Sequence, residues 1–427
     1  MQHVFDIISL KEKKNMLTKF TNAYILTSAS EPVIFGELVV QDNKIIFVGE
    51  HFMGQVDKQI DCNKNLLMAG FINTHAHSPM VLLKGIGEDN SLEDWLFKYI
   101  IPHERLLTKE QIYKGSVIAI KEMIKNGITC FQDNYFYPEQ TAKACIDLGM
   151  RAVISLSQNY SQNDFLSYEE LDNLYKENQG KSDLVDYNFY FHSIYTCDEQ
   201  QILNAINLAK KYDKLLLTHM SETLTEVGEC AKIHGGMTPA MLLDSLGFFD
   251  CKTMLAHGVF LEKEDYAILE NKDVSISHNP SSNLKLGSGI ANLKALNQRN
   301  INVCLGTDGS ASNNRLDMFR EMYLSSVLQK ALFHDASLIP CQQAIMMATE
   351  NGAKALHNNK IGSLKTGNLA DIIMINLNLT NNIVCNNIKS NLVYSLGTED
   401  VAMTMINGKI LYYNGKFQND ILQQINK

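Results

Sequence analysis

Several things are missing from this 427-residue chain, and each absence removes a class of function. No apolar stretch reaches the roughly 18 to 20 residues a helix needs to cross a bilayer, so no membrane partner is expected. The first 20 residues, "MQHVFDIISLKEKKNMLTKF", lack a basic start, an apolar stretch and a small-residue cleavage site, so no secretory signal is expected. Long basic runs are also absent, and the formal net charge is −9. Nucleic acid is therefore not the expected partner, because binding phosphates needs a basic patch. The nine cysteines are odd in number, lie mostly in apolar segments and form no C-x-x-C pair. A disulfide framework is not expected, a reducing cytoplasm is, and a cytidine-deaminase type of zinc site lacks its ligands. "GIG" at 85–87 lacks the third glycine and following helix of a dinucleotide turn, "GSG" at 287–289 is only a loop, and no G-x-S-x-G elbow occurs.

What remains is an ordinary globular composition, 45% hydrophobic and 20% charged. Residues 17–67 read as short strands, with "QDNK" as a hairpin turn. The C-terminal stretch reads the same way: "LADIIMINL" is strand-like, and Asn407-Gly408 and Asn414-Gly415 are hairpin turns. One β module built from both ends is expected, a small β-sandwich of residues 16–67 and 363–427, with residues 1–15 as an extension outside the fold, as an upstream start before Met16 would give.

Between these ends, apolar runs alternate with amphipathic segments such as "KEQIYKGSVIAIKEMIKNG", which stops at Gly127. With the run before His75 there are eight: "ITCFQDN", "RAVISLS", "YNFYFHS", "KLLLTHM", "KTMLAHG", "DVSISHN" and "INVCLGTD" complete the set. This predicts an α/β fold, a (β/α)8 TIM-type barrel over 68–362, with an open doubly wound sheet as the alternative.

Seven of the eight runs end in a residue that can bind metal or move a proton: His75 with His77, Asp133, His192, His219, His257, His278 and Asp308. Active sites of such barrels lie at the carboxyl ends of the strands, and core packing alone would not place polar groups there so consistently. His75 and His77 are two apart on a strand and share a face, so both can reach one ion. With His219 and Asp308 they form a candidate metal set of three nitrogens and one carboxylate. One divalent ion is expected, Zn2+ ahead of Fe2+ or Mn2+, to acidify a bound water. Asp308 can also take a proton from the attacking water. Glu222, three residues after His219, is the candidate general acid toward a substrate ring nitrogen, and His257 can steady the attacking water or the reacting carbon. The fourth run ends without a lysine, so a bridging carboxylated lysine for a second metal has no candidate there.

At these residues the sequence resembles the amidohydrolase superfamily and, within it, the 5'-methylthioadenosine/S-adenosylhomocysteine deaminases. The likeness runs from about Asn22 to Lys416 and is carried by "GFINTHAHSPMVLLKG", "LEDWLFKYIIPHE", "THMSET", "SHNPSSNLKLGSGI" and "LGTDGSASNNRLDMFREM". The resemblance implies that His75, His77, His219 and Asp308 bind the metal, that Glu222 shuttles a proton and that His257 supports the water. It also implies substrate contacts from Trp95 on the purine side, from Glu104 to the ribose, and from His192 and Ser312.

One departure stands out. The family's homocysteine-binding form carries arginines after the third strand, where this chain has Leu156 and Phe165 or Leu166, while Arg151 begins that strand. Without a guanidinium fork, bidentate capture of an α-carboxylate is lost. The expected reaction is hydrolytic deamination at C6 of an adenine nucleoside with a neutral 5'-group, such as 5'-methylthioadenosine, 5'-deoxyadenosine or adenosine, with S-adenosylhomocysteine less favoured. An amino- or chlorohydrolase acting on guanine, a pterin or a triazine is the alternative within hydrolysis, and a non-catalytic scaffold is the alternative outside it. A homo-oligomer is left open.

Overall fold

A computed structural model describes residues 16–377 and 386–424; the expected extension, 1–15, lies outside the described residues. The middle of the chain forms a parallel barrel. Its strands are Phe71–His77, Ile128–Asp133, Arg151–Leu156, Val185–Tyr190, Leu216–Met220, Thr253–His257 and Val274–His278, followed by an eighth in two pieces, Asn302–Leu305 and Asp308–Gly309. The first piece pairs with the seventh strand and the second with the first strand, so the eighth strand touches both neighbours. Asn73 and Thr307 reinforce that seam: Asn73 Nδ2 donates to Thr307 Oγ1 at 2.7 Å, and Thr307 N–H donates to Asn73 Oδ1 at 2.9 Å.

Gly306 lies in the break of the eighth strand because there is no room for a side chain. A Cβ there would come within 2.4 Å of Asn279 Oδ1 and 2.7 Å of His75 Cβ. The chain can therefore pass directly behind His75 only as glycine.

The segment after Thr108 folds as its sequence predicts. Lys109–Lys125 is helical, Thr108 caps it in a reciprocal box with Gln111, and Gly127 leaves it with φ +80°. Its buried face, including Val117, Ile120, Met123 and Ile124, packs on the outer surface of the barrel. The amino-terminal end of the barrel is closed by an apolar cluster of Ile72, Cys130, Leu217, Met254 and Cys304 beneath Glu350–Ala355. Only the carboxyl ends of the strands are left open for chemistry.

Strands from the two ends of the chain share one mixed sheet. Leu66–Ala69 sits at its centre, parallel to Leu17–Leu26 and antiparallel to Ile372–Ile375. The expected sandwich is thus a single sheet that curls back on itself around Phe20, Ile25, Leu38, Ile45, Ile372 and Met403. Where its edges meet, Ala370 N–H donates to Asn43 O and Gly408 N–H to Ala370 O. Asn407 and Gly408 have φ of 51° and 76°, as their hairpin requires, and a Cβ on Gly408 would overlap Asp42 O. Arg151 ties this sheet to the base of the barrel, donating from Nε and Nη2 to Asp371 at 2.6 and 3.2 Å. Among the described residues no helix is long and apolar enough to cross a membrane.

Candidate metal centre and substrate cavity

Which face each strand end presents decides which residues meet, and on the first strand a register shift between Asn73 and Ala76 brings His75 inward although Ile72, three residues earlier, also faces the interior. On the first strand His75 and His77 share the inner face. His219 Nε2 lies 3.1 Å from His75 Nε2 and 3.3 Å from His77 Nε2, and Asp308 Oδ1 lies 3.3 and 3.2 Å from the same two atoms. A tetrahedral ion bound at about 2.0–2.1 Å would set its ligands roughly 3.3–3.4 Å apart. Three imidazole nitrogens facing one point cannot satisfy one another by hydrogen bonds, whereas one cation satisfies all of them. The donor set therefore fits a divalent metal, and the site is a buried His3–Asp metal site.

His257 belongs to the same cluster: with His75, His219 and Asp308 it offers atoms all within 4.8 Å of one another. Its Nε2 faces Glu222 Oε2 at 3.5 Å, so the set with His77 is the tighter one. His257 reaches the centre against strand parity. Leu255 packs on the outer face and Met254 on the inner, so an extended backbone would turn residue 257 outward. A φ of 75° swings the ring back in, 5.4 Å from that of His219, and its Nδ1 meets Asn283 Oδ1 at 2.7 Å. A left-handed histidine costs about 1–3 kcal/mol and persists only where its surroundings hold it.

Two expected strand ends do not join the site. Asp133 faces the helix side and accepts the Ser78 N–H at 2.6 Å; burial first, resisted by the Ser78 bond, pushes its carboxyl up to about 6. His278 shares the outer face with Val274 and Ile276, and neither ring nitrogen has a hydrogen-bond partner. Both sit one residue out of step with the inner row.

The outer nitrogens of two ligand-set imidazoles donate to carbonyls, His77 Nδ1 to Asn134 O and His219 Nδ1 to His192 O at 2.7 Å. This fixes the tautomer with a free lone pair on Nε2. Asp308 keeps Oδ1 toward the histidines, and its Oδ2 accepts from Ser282 Oγ at 2.6 Å and Ser312 Oγ at 2.7 Å. Burial would raise the Asp308 carboxyl, but the bonds from His75 and His77 outweigh it and hold it well below the usual range. Burial drives His75 down to about 4 and His192 to about 3, and crowding by neighbouring imidazoles adds to it in both. His77 goes the other way, to about 9, because Asp308 and the Asn134 carbonyl overcome burial. Imidazoles that burial drives down beside a carboxylate held well below its usual range are a pattern suited to a cation.

Above the cluster opens a cavity of about 310 Å³. Trp95, Phe97, Tyr135, Phe136, Phe165, Tyr190 and Tyr195 line it, with Glu104, His192, Glu222, His257 and Asp308 as polar groups. Trp95 opens a π-helical turn, Trp95–Ile100, and Glu104 ends the short helix that follows. Glu104 Oε2 accepts from Gln162 Nε2 at 3.0 Å, and burial raises its carboxyl. Glu222 is buried; Ser288 Oγ donates to its Oε1 at 3.4 Å, and burial raises it as well, offset by the attraction of His257. His192 Nδ1 contacts Thr196 Oγ1 at 2.8 Å. Ser312 stands behind Asp308 and is not among the residues lining the cavity.

Sequence reasoning missed Asn134, Ser282, Asn283 and Gln162. Asn134 had a signal: it has the same strand parity as Cys130, which faces the barrel interior. Ser282 and Asn283 lie in the short helix Pro280–Lys285 and Gln162 in the turn after Asn159–Ser161, and their partners are distant in sequence.

Comparison with known proteins bears on this site. The model of the amidohydrolase family matches residues 66–411. The chain is 39% identical over 394 residues to a 5-methylthioadenosine/S-adenosylhomocysteine deaminase of Thermococcus sibiricus, covering 91% of this chain and 92% of the relative. It is 39% identical over 412 residues to a 5'-deoxyadenosine deaminase of Methanosphaera stadtmanae, covering 95% of each. Its fold is similar to the crystal structure of an adenosine deaminase from Xanthomonas campestris with bound zinc, with a TM-score of 0.89 and 28% identity over 96% of this chain and 98% of the other.

Proposed function

The chain belongs to the amidohydrolase family, and on that premise we propose that it is a metal-dependent deaminase acting at C6 of adenine nucleosides with a neutral 5'-substituent. The observation that carries this reading is the convergence of His75, His77, His219 and Asp308 beneath an aromatic cavity that also holds Glu222. Those four residues would hold the ion, which when bound lowers the pKa of a coordinated water so that water attacks near neutral pH.

The side chains then have distinct tasks. Trp95 and the neighbouring aromatics hold the purine, and Glu104 accepts from the ribose hydroxyls. Glu222, whose carboxyl burial raises, donates to ring nitrogen N1 and so removes aromaticity as C6 is attacked. Asp308 Oδ1 takes a proton from the attacking water and passes it to the departing amine. His257 Nε2 steadies the tetrahedral centre, its ring fixed by Asn283. Ser282 and Ser312 hold the Asp308 carboxylate so that Oδ1 keeps its aim. Ammonia leaves as the C6 hydroxyl gives up its proton, which returns to Glu222, and the product is of the inosine type.

The preference for neutral 5'-groups rests on what lines the cavity. Among the described residues no lysine or arginine does so, while Phe97, Phe165 and Tyr195 do. Arg151 is committed to Asp371 and to Asp183 O at the other end of the barrel. A 5'-methylthio or 5'-methyl group matches such a wall, whereas an amino-acid carboxylate would lack a partner. Zn2+ is the metal proposed. The reading is tested by kcat/KM for 5'-methylthioadenosine, 5'-deoxyadenosine, adenosine, S-adenosylhomocysteine and guanine, followed by ammonia release. Turnover of guanine alone would remove the nucleoside assignment and with it the role of Glu104.

A further inference from the structure

His75 differs from its two neighbours in one respect. His77 and His219 donate their outer N–H to main-chain carbonyls, which can only accept. His75 Nδ1 instead meets the side-chain amide of Asn134, whose Nδ2 lies 3.2 Å away. An amide can present either an acceptor or a donor, so this ring's tautomer depends on which way Asn134 is turned.

Asn134 is not alone. Gln132 Nε2 lies 2.5 Å from Asn134 Oδ1 and 2.6 Å from Ser155 Oγ, and Ser155 Oγ lies 2.5 Å from Asn188 Oδ1. All four residues are buried, and they cross the barrel interior from the second strand to the fourth. The row ends without a further partner, since Gln132 Oε1 and Asn188 Nδ2 bond to nothing else.

Such a row can run in two directions. With Asn134 Nδ2 toward the ring, Nδ1 must accept, so a neutral ring carries its proton on Nε2. That proton would point at His219 Nε2, 3.1 Å away, and block a cation. With the three amides turned together, His75 Nδ1–H donates to Asn134 Oδ1 and Asn134 Nδ2 donates to Gln132 Oε1. Ser155 Oγ–H then donates to the same Gln132 oxygen, and Asn188 Nδ2 donates to Ser155 Oγ. Every link survives, and His75 Nε2 is left with a free lone pair.

We propose that Asn134 is a positioning residue for His75, and that Gln132, Ser155 and Asn188 fix the direction of its amide so that His75 binds a divalent cation through Nε2. Asn134 thereby serves both histidines of the first strand, His77 through its carbonyl and His75 through its side chain. The inference rests on the reading of His75 as a metal ligand. It needs no titration, only the direction of one hydrogen-bond chain.

The test measures zinc affinity by competition with a chromogenic chelator, at one pH, in folded full-length variants. Asn134→Leu removes the acceptor and is expected to weaken zinc binding by about 10- to 100-fold, the usual effect of losing a partner of a metal-bound histidine. Asn134→Asp supplies a group that can only accept; Gln132 can turn to donate to it, and affinity should return to within a few-fold of the parent. Ser155→Ala, which touches neither histidine, should give a smaller loss that disappears in the Asn134→Leu background. If Asn134→Leu does not fold, Gln132→Leu carries the same comparison with Asn134 in place. Equal zinc affinity of parent and Asn134→Leu would overturn the proposal, as would an Asp variant as weak as the Leu variant. A parent protein that binds no stoichiometric zinc would overturn it together with the metal reading, an outcome distinct from intact binding that the variants leave unchanged.

Discussion

Replacing Glu222 by glutamine separates proton transfer from everything else this side chain does. Glu222 is 4% exposed and touches two polar neighbours, Ser288 Oγ at Oε1 and His257 Nε2 at Oε2. Glutamine has the same shape, still accepts from Ser288, and its N–H can still reach N1 of the purine. What it cannot do is give up a proton. A positioned general acid contributes about 10²- to 10⁴-fold, or roughly 3–5 kcal/mol of barrier. Glu222→Gln should therefore lower kcat by about 10²-fold or more while KM stays within about threefold, since ground-state contacts survive. The assay is the ultraviolet change as an adenine becomes a hypoxanthine, with bound zinc counted in the same preparation. A kcat within about fivefold of the parent at full zinc occupancy would refute the role, because an amide of pKa far from neutral cannot replace a carboxylic acid. Loss of zinc together with activity would instead make Glu222 a support for the metal cluster.

Three further outcomes follow from the same geometry. S-adenosylhomocysteine should have a kcat/KM at least about tenfold below that of 5'-methylthioadenosine, the scale of one missing charge-assisted hydrogen bond, and equal values would contradict the neutral 5'-wall. Chelation should abolish activity and lower the melting temperature, with zinc restoring both, because the ion binds the folded state alone; full activity in metal-free protein would exclude the proposed role of the ion. Glu321 accepts from Ser281 N–H and Asn313 Nδ2, and burial pushes its carboxyl up to about 7 from an ordinary 4.5. The folded state then holds a proton that the unfolded chain has released, so stability falls as pH rises between about 4.5 and 7, by at most about 3 kcal/mol from this group. Urea titrations from pH 5 to 8 should show that decline, with Glu321→Gln flattening it; an identical slope in the variant would show that Glu321 does not contribute.

Much of the site was legible because its logic is local. Eight apolar runs ending in polar residues named a barrel, and His75, His77, His219 and Asp308 were found by position at strand ends. Asp133 and His278 looked the same by that criterion, yet both face the helix side. A strand-end label does not say which face a residue occupies; parity does, and it must be counted from a residue known to face inward. For His257 parity itself misleads, because φ of 75° reverses it, and on the first strand the register shift between Asn73 and Ala76 does the same for His75 and His77. Ser312, expected as a substrate contact, donates to Asp308 Oδ2, a relation set by the turn after the eighth strand.

The amino-acid sequence by itself determined the alternation of strands and helices, the residue types available at the barrel mouth and the lack of an arginine after the third strand. Each is a property of neighbours along the chain: hydrophobic period, turn chemistry, side-chain inventory. The tertiary structure alone decided that His219 and His75, 144 residues apart, bring their nitrogens within 3.1 Å, and that Asn134 serves two histidines while Asp133 beside it serves none. Convergence of this kind depends on how the ring of strands closes and in which register, and no short window of sequence contains that information.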